Sequence, residues 1–262
     1  MVRLLAACTS ADALMPRRTR LLGRHLPRSH RGTGLSAGGV LFHPAQSIDI
    51  VELVPEVVQA ARTHFSDTPP KLFSDPRVRI VIADARNYLR SRPEPFDVLI
   101  GDLVVPWRQG ESALFTREHF AAARDALKPD ELFCQWLPMF QLSEAETHIL
   151  LRTFLSVFPR AYVRRGDFSP DHPALGLVGG VRDVPLDPSI LRARLAESSS
   201  DPTNPQLADP VGFWMNFIGM IESGDLDPAE TRLHTEGHPL SSAPSSAFPF
   251  PDPEQPRSRQ GS

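Results

Sequence analysis

Three acidic residues each follow a run of apolar and β-branched residues. Glu52 closes the run SIDIVE, Asp84 follows RIVIA, and Asp102 follows DVLIG. Such runs are typical of buried strands, and ligands of open parallel sheets bind outside the carboxyl ends of the strands. Because all three positions are acidic, we expect this edge to favour a cationic ligand over a pyrophosphate.

A glycine-rich segment, GTGLSAGG at residues 32–39, is typical of a turn that brings the backbone close to a bound nucleotide. Glu52 lies eighteen residues after Gly34 and twenty after Gly32. At this spacing an acidic side chain can accept hydrogen bonds from ribose hydroxyls. The alternative for Glu52 is a solvated carboxylate at a strand end. The combination predicts a nucleoside site.

The other two acids each have two interpretations. Asp84 and the backbone N–H of Ala85 could together read the edge of an adenine ring, or Asp84 could cap the helix that begins at Ala85. Asp102 could act as a general base beside the nucleoside or hold a cationic group.

Apolar runs alternate with amphipathic stretches from residue 32 to about residue 180. The predicted strands cover residues 47–53, 77–84, 96–103 and 131–138, with two further candidates at 161–165 and 174–180. The predicted helices begin near Pro55 and Ala85 and cover residues 116–128 and 143–158. This alternation implies right-handed crossovers and a mostly parallel sheet covered on both faces. The predicted fold class is α/β, a Rossmann-like, doubly wound and mostly parallel sheet.

The remaining segments are predicted to lie outside this sheet. Residues 1–31 contain seven arginines and one acid without a regular apolar period, which predicts a segment that is not part of a domain. Residues 181–235 are predicted to form a helical C-terminal extension, with residues 211–223 as its most apolar part. Residues 236–262 are rich in proline and serine and are predicted to be a disordered tail.

The composition argues against several functional classes. The net charge is −3 and basic residues are interleaved with acids, so nucleic acid is not an expected partner. No window approaches the roughly 18 apolar residues of a membrane span. Cys8 and Cys134 are far apart in the sequence, which indicates neither a disulfide framework nor a zinc site. Because this cysteine usage fits a reducing compartment, we expect a cytoplasmic protein. The order His234, Glu236, His238 differs from a helical metal motif, and no metal is predicted.

The residues between about 32 and 180 carry a family resemblance. The runs DIVELVPEVVQAARTHF, DPRVRIVIADARNYLR, FDVLIGDLVVPW, ESALFTREHFAAARDALKP and LFCQWLP resemble the catalytic domain of polyamine aminopropyltransferases, the spermidine synthase family. They are most similar to bacterial spermidine-synthase-like proteins in which this domain follows a membrane-spanning half.

The resemblance implies a fold of the class I S-adenosylmethionine-dependent methyltransferase type. It also implies no permanently bound cofactor, decarboxylated S-adenosylmethionine as co-substrate, a small-molecule amine as acceptor, and compatibility with a homodimer. By the family pattern Gly32, Thr33 and Gly34 form the glycine turn and Glu52 binds the ribose. Asp84 and Ala85 bind the adenine, and Asp102 takes a proton from the attacking amine.

The sequence departs from the family pattern at three positions. His30 occupies the place of the first glycine, Thr33 that of an aspartate which holds the aminopropyl ammonium, and Val105 that of an aspartate which grips the acceptor amine. Two alternatives follow: a methyltransferase that uses S-adenosylmethionine itself, or a degenerate nucleoside-binding module without activity. The abrupt change at Arg31 also predicts that truncation or a frameshift has replaced the native first strand.

Overall fold

The computed structural model describes residues 3–7, 41, 45–65, 72–91, 94–104, 106, 110–166, 173–182, 215–229 and 231–240. Its strands are β1 Arg3–Ala7, β2 Ser47–Glu52, β3 Val78–Ile82, β4 Phe96–Gly101, β5 Leu127–Pro138, β6 Arg160–Arg165, β7 Ala174–Gly180 and β8 Phe217–Glu222. Its α-helices are α1 Pro55–Phe65, α2 Ala85–Arg90, α3 Arg117–Asp125 and α4 Glu144–Leu155.

The strands form one sheet in the order β3-β2-β1-β4-β5-β7-β6-β8. The pairs from β3 to β5 are all parallel, and the pairs among β5, β7, β6 and β8 are antiparallel. The order runs outward from β1 in both directions, which is the doubly wound arrangement. The predicted fold class, an α/β and mostly parallel sheet, is confirmed.

The main core lies between one face of the sheet and helices α2, α3 and α4. Its largest fully buried side chains include Leu99 from β4, Phe120 from α3 and Phe154 from α4. Phe133 of β5 stacks on Phe154 with ring centroids 6.0 Å apart. Successive residues of a strand face opposite sides, so Ile48 and Ile50 of β2 belong to a second cluster on the other face.

The helix boundaries follow from capping residues at their amino ends. Ser143 forms a capping box with Glu146 at the start of α4, and Thr116 accepts a hydrogen bond from the His119 N–H at the start of α3. The predicted helix at 116–128 ends earlier, at Asp125, because β5 already begins at Leu127 and includes Pro129.

The structure corrects the prediction for the start of the chain. Arg3–Ala7 is a strand in the centre of the sheet, parallel to β2 on one side and β4 on the other. A central parallel strand needs only a short continuous apolar run, and the run LLAA is short enough to be missed in an arginine-rich segment. The place of the first strand, which was predicted to be lost, is therefore filled by Arg3–Ala7. Residues 8–31 lie outside the described residues.

The structure also differs from the predictions for the C-terminal region. Phe217–Glu222, predicted as part of a helix, is the edge strand β8, and pairing with β6 satisfies one side of its backbone. Residues 236–240, assigned to the disordered tail, pack on the sheet domain, where Leu240 is buried in the main core. Residues 241–262 lie outside the described residues. Among the described helices, none has the length and apolarity to cross a lipid bilayer.

Candidate active site

The sheet register brings two of the predicted acids to either side of β1. Ala7 pairs with Val51 of β2 and with Gly101 of β4. Glu52 and Asp102 are the residues that directly follow these two partners. Glu52 and Asp102 therefore lie at the same level of the sheet, on the two sides of the central strand. This is the edge at which ligands of doubly wound sheets bind.

Glu52 is a buried carboxylate without a cationic partner in the described part of the chain. Glu52 is only 3% exposed, and its Oε1 accepts a hydrogen bond of 2.9 Å from the Val54 N–H. Burial raises the pKa of Glu52 above its ordinary value, although backbone N–H donors oppose this and the nearby charge of Glu111 adds to it. Glu52 thus keeps acceptor capacity for a donor from outside the chain.

Asp84 lies next to Glu52 in space but has different partners. The Ala83 N–H donates to the Glu52 carbonyl, which ties the segment before Asp84 to the end of β2. The Asp84 carboxylate accepts hydrogen bonds from the N–H groups of Arg86 and Asn87 and forms an ion pair of 2.7 Å with the Arg86 guanidinium. The Arg86 hydrogen bond lowers the pKa of Asp84. Asp84 is therefore the cap of α2, and Ala85, the first residue of that helix, is buried.

Asp102 is held at the end of β4 by its own backbone surroundings. The residue is 3% exposed, and its Oδ1 accepts a hydrogen bond of 2.7 Å from the Leu103 N–H. The side-chain amide of Gln135 donates to the Asp102 carbonyl oxygen at 3.4 Å. The carboxylate is thus fixed locally at the same edge as Glu52.

The predicted glycine turn lies outside the described residues. This concerns Gly32, Thr33 and Gly34, together with His30 and Val105 among the departures from the family pattern. Their predicted roles stay predictions.

Three exposed apolar side chains lie beside Glu52, and none of them is among the residues predicted for the site. Leu53 is 57% exposed, Val54 is also exposed, and Ile82, which pairs with Glu52, is 48% exposed. Large apolar side chains next to buried carboxylates suit a ligand with a flat apolar face and polar edges. The sequence signal for two of them is that Leu53 and Val54 continue the apolar run of β2 past its end at Glu52.

The segment 231–240, here called the C-terminal strap, packs against α3 and α4. His234 is buried: its Nδ1 accepts from the Leu240 N–H at 2.8 Å, and its Nε2 bonds the Ser112 carbonyl at 2.8 Å. Burial lowers the pKa of His234. Both ring nitrogens therefore serve the fold, which positions the 3₁₀ helix Ser112–Phe115 that lies between Asp102 and α3.

A family model and a curated relative both match this chain to polyamine-synthesising enzymes. The family model of the spermine/spermidine synthase domain matches residues 32–164. A polyamine aminopropyltransferase from Aeropyrum pernix is 34% identical over 184 residues, which cover 68% of this chain and 55% of that protein.

Two solved structures share the fold. A spermidine synthase in complex with the transition state analogue AdoDATO superposes with a TM-score of 0.58 at 25% identity, covering 73% of this chain and 59% of that one. Human methyltransferase-like protein 13 in complex with SAH gives a TM-score of 0.53 at 19% identity, covering 80% and 83% of the two chains. The fold is therefore of the S-adenosylmethionine-dependent methyltransferase type.

The chain spans about half the length of the Aeropyrum pernix relative. The family match covers more than half of this chain, because residues 32–164 are 133 of its 262 residues. Fold and sequence match agree, and this chain belongs to the spermine/spermidine synthase domain family.

Proposed function

We propose that this chain transfers an aminopropyl group from decarboxylated S-adenosylmethionine to an amine acceptor. The observation that carries the proposal is the placement of two buried carboxylates, Glu52 and Asp102, on the two sides of β1 at the ligand-binding edge. The family match and the superposition on a spermidine synthase complex support the same activity.

The nucleoside part of the co-substrate fits the half of the edge formed by β2 and β3. The Glu52 carboxylate would accept hydrogen bonds from the ribose hydroxyls, since it has no cationic partner among the described residues. The exposed side chains of Leu53 and Ile82 would contact the adenine ring. Asp84 and the backbone N–H of Ala85 would meet the polar edge of the ring, although the Asp84 carboxylate also caps α2.

The chemical step assigns one role to Asp102. An acceptor ammonium has no lone pair, so it must first give a proton to a base, and the Asp102 carboxylate would take it. The neutral nitrogen then forms a bond to the aminopropyl carbon attached to the sulfonium. The carbon–sulfur bond breaks, its electron pair stays on sulfur, and methylthioadenosine leaves as a neutral thioether. The protein supplies position and negative charge, and the sulfonium supplies the leaving group.

Negative charge also suits the acceptor. Glu111, close enough to Glu52 to influence its pKa, adds a further carboxylate to the surroundings of the edge. An edge with several carboxylates attracts ammonium groups and disfavours a carboxylate on the co-substrate. This is the reason to place decarboxylated S-adenosylmethionine before S-adenosylmethionine as the co-substrate.

The test is release of methylthioadenosine from decarboxylated S-adenosylmethionine in the presence of a panel of diamines. Asp102→Asn should lower kcat by about 10² to 10⁴-fold, the usual contribution of a general base. Binding of methylthioadenosine should stay unchanged. Asp125→Asn, the same change at an exposed position on α3, is the matched control. No transfer by the wild type with any diamine would refute the proposed function, and full activity of Asp102→Asn would refute the role of Asp102.

A homodimer, a cytoplasmic location and a domain boundary near residue 180 stay predictions. Sedimentation velocity, fractionation of cells and limited proteolysis would test these three in turn.

A further inference from the structure

Gln135 is a polar residue in the otherwise apolar end of β5, and the proposed chemical step does not use it. It is 1% exposed, and its position in the sheet is directly opposite Gly101, the residue before Asp102. Its Nε2 donates to the Asp102 carbonyl oxygen at 3.4 Å and to the Trp136 carbonyl oxygen at 3.1 Å. The amide therefore bridges the ends of β4 and β5 next to Asp102, the proposed general base.

The orientation of this amide is determined by its surroundings. Both groups that Nε2 meets are carbonyl oxygens, which accept and cannot donate, so exchanging the nitrogen and oxygen of the amide would place three acceptors together. Oε1 is buried and has no hydrogen-bond partner in the described part of the chain. A buried carbonyl without a donor typically costs about 1 to 3 kcal/mol. An apolar side chain would avoid this cost, so stability alone does not account for a glutamine here.

The backbone of Gly101, the residue before Asp102, packs closely against Gln135. A Cβ atom at Gly101 would lie 2.3 Å from Gln135 Oε1 and 2.8 Å from its Cδ, so a side chain there would force the Gln135 amide to move. Gly101 has no side chain, and its backbone therefore lies directly against the amide. The two residues form a matched pair, one on each strand, immediately behind Asp102.

We propose that Gln135 is a positioning residue for Asp102. The Leu103 N–H donates to the Asp102 carboxylate and orients it. The Gln135 amide donates to the Asp102 carbonyl oxygen and fixes the backbone of the same residue. Together they hold the base at the end of β4, so the carboxylate meets the acceptor ammonium without reorganisation. The inference rests on the proposed function, since it concerns the same base.

The experiment compares Gln135→Leu with wild type in the methylthioadenosine-release assay. We expect kcat to fall by at least about tenfold, because small misplacements of a catalytic group have effects of this size. The dissociation constant for methylthioadenosine, measured by titration calorimetry, should change less than twofold. Gln59→Leu, on the exposed side of α1, is the matched control and should retain wild-type kcat.

A second variant keeps the shape of the side chain and covers the case in which Gln135→Leu does not fold. In Gln135→Glu the introduced carboxyl can donate to the Asp102 carbonyl only while it is protonated. The ratio of variant to wild-type kcat should therefore fall as pH rises through the titration of that carboxyl. Urea unfolding of Gln135→Glu at the same pH values separates this effect from a loss of fold.

The outcomes separate the two proposals. Absence of transfer by the wild type would overturn the proposed function and this inference together. An active wild type with unchanged kcat in Gln135→Leu, or a ratio for Gln135→Glu that is flat with pH, would overturn the inference about Gln135 alone.

Discussion

Two buried carboxylates on strand β2, Asp49 and Glu52, lie three residues apart in opposite surroundings. The Asp49 carboxylate accepts two hydrogen bonds from the Arg79 guanidinium, at 2.8 and 2.9 Å, and one from the Tyr88 hydroxyl at 2.9 Å. Glu52 has backbone N–H donors and no basic partner in the described residues. Asp49 is in the middle of the strand, where neighbouring elements reach it, and Glu52 is at the edge.

The difference separates a structural acid from an acid that can serve a ligand. The charge of Asp49 is balanced within the chain, and burial raises the pKa of Tyr88, its hydrogen-bond donor, to about 12. The charge of Glu52 is desolvated without a basic partner, which destabilises the fold. It also leaves the carboxylate able to accept hydrogen bonds from ribose hydroxyls. Burial alone would not distinguish the two residues; their partners do.

The largest effect is expected at Glu52. Glu52→Ala removes both acceptor oxygens for the ribose, and hydrogen bonds to charged groups contribute about 1.5 to 3 kcal/mol each. We expect the dissociation constant for methylthioadenosine, measured by titration calorimetry, to rise at least about 100-fold, with little change in the free energy of unfolding. Glu56→Ala, an exposed glutamate on the first turn of α1, is the control. An unchanged affinity in Glu52→Ala would place the ribose elsewhere.

The reverse pattern is expected at Asp49. Asp49→Asn removes the charge that pairs with Arg79, so the free energy of unfolding in urea should fall by about 1 to 2 kcal/mol. The estimate is below that for a fully buried pair because the Arg79 side chain is 57% exposed. Nucleoside affinity should stay within twofold of wild type. A loss of affinity without a loss of stability would contradict the assignment of Asp49 as structural.

Asp84 is expected to show both effects, each smaller. Asp84→Ala deletes the cap of α2, which typically costs about 1 kcal/mol, whereas Asp84→Asn keeps a side chain that caps helices well. Thermal unfolding should separate the two variants. If Asp84 also reads the adenine edge, the affinity for methylthioadenosine should fall in Asp84→Ala by a few-fold. An affinity equal to wild type would leave Asp84 as a cap only.

The smallest effect is the pH dependence of stability. Burial raises the pKa of Glu52, so the folded protein takes up this proton at higher pH than the unfolded chain does. Its charged form therefore destabilises the fold at neutral pH, and stability is regained as pH falls through the folded pKa toward 4.5. Asp84 has the opposite effect. Because its pKa is lowered, its charged form stabilises the fold above pH 3.8, and this contribution is lost only as the pH falls further.

Urea unfolding of wild type and Glu52→Gln at several pH values checks this sign. Glu52→Gln should be the more stable protein at pH 7, and the difference should shrink toward pH 4.5. A difference that grows as pH falls would mean that Glu52 has a compensating cation.

The sequence predicted the parts of this molecule that depend on local patterns. Strands ending at Glu52 and Gly101, the helix after Pro55 and the helices capped by Thr116 and Ser143 were recognisable because apolar periodicity and capping residues are local. The meeting of Glu52 and Asp102 at one edge followed from the rule for parallel strands.

The parts that failed depend on pairing between distant segments. Arg3–Ala7 becomes a strand because β2 and β4 provide partners on both sides, and Phe217–Glu222 becomes a strand because β6 provides one. The contrast between Asp49 and Glu52 was equally hidden, since Arg79 and Tyr88 lie 30 and 39 residues away along the chain. The contact of Gln135 with Gly101 likewise joins two strands.

The central claim is that the carboxylate edge selects a cationic co-substrate without a carboxylate. Titration calorimetry of the wild type with decarboxylated S-adenosylmethionine and with S-adenosylmethionine tests it most directly. We predict tighter binding of the decarboxylated form, because the carboxylate of S-adenosylmethionine would meet an edge that already holds acidic side chains. Tighter binding of S-adenosylmethionine would contradict the account and would favour methyl transfer.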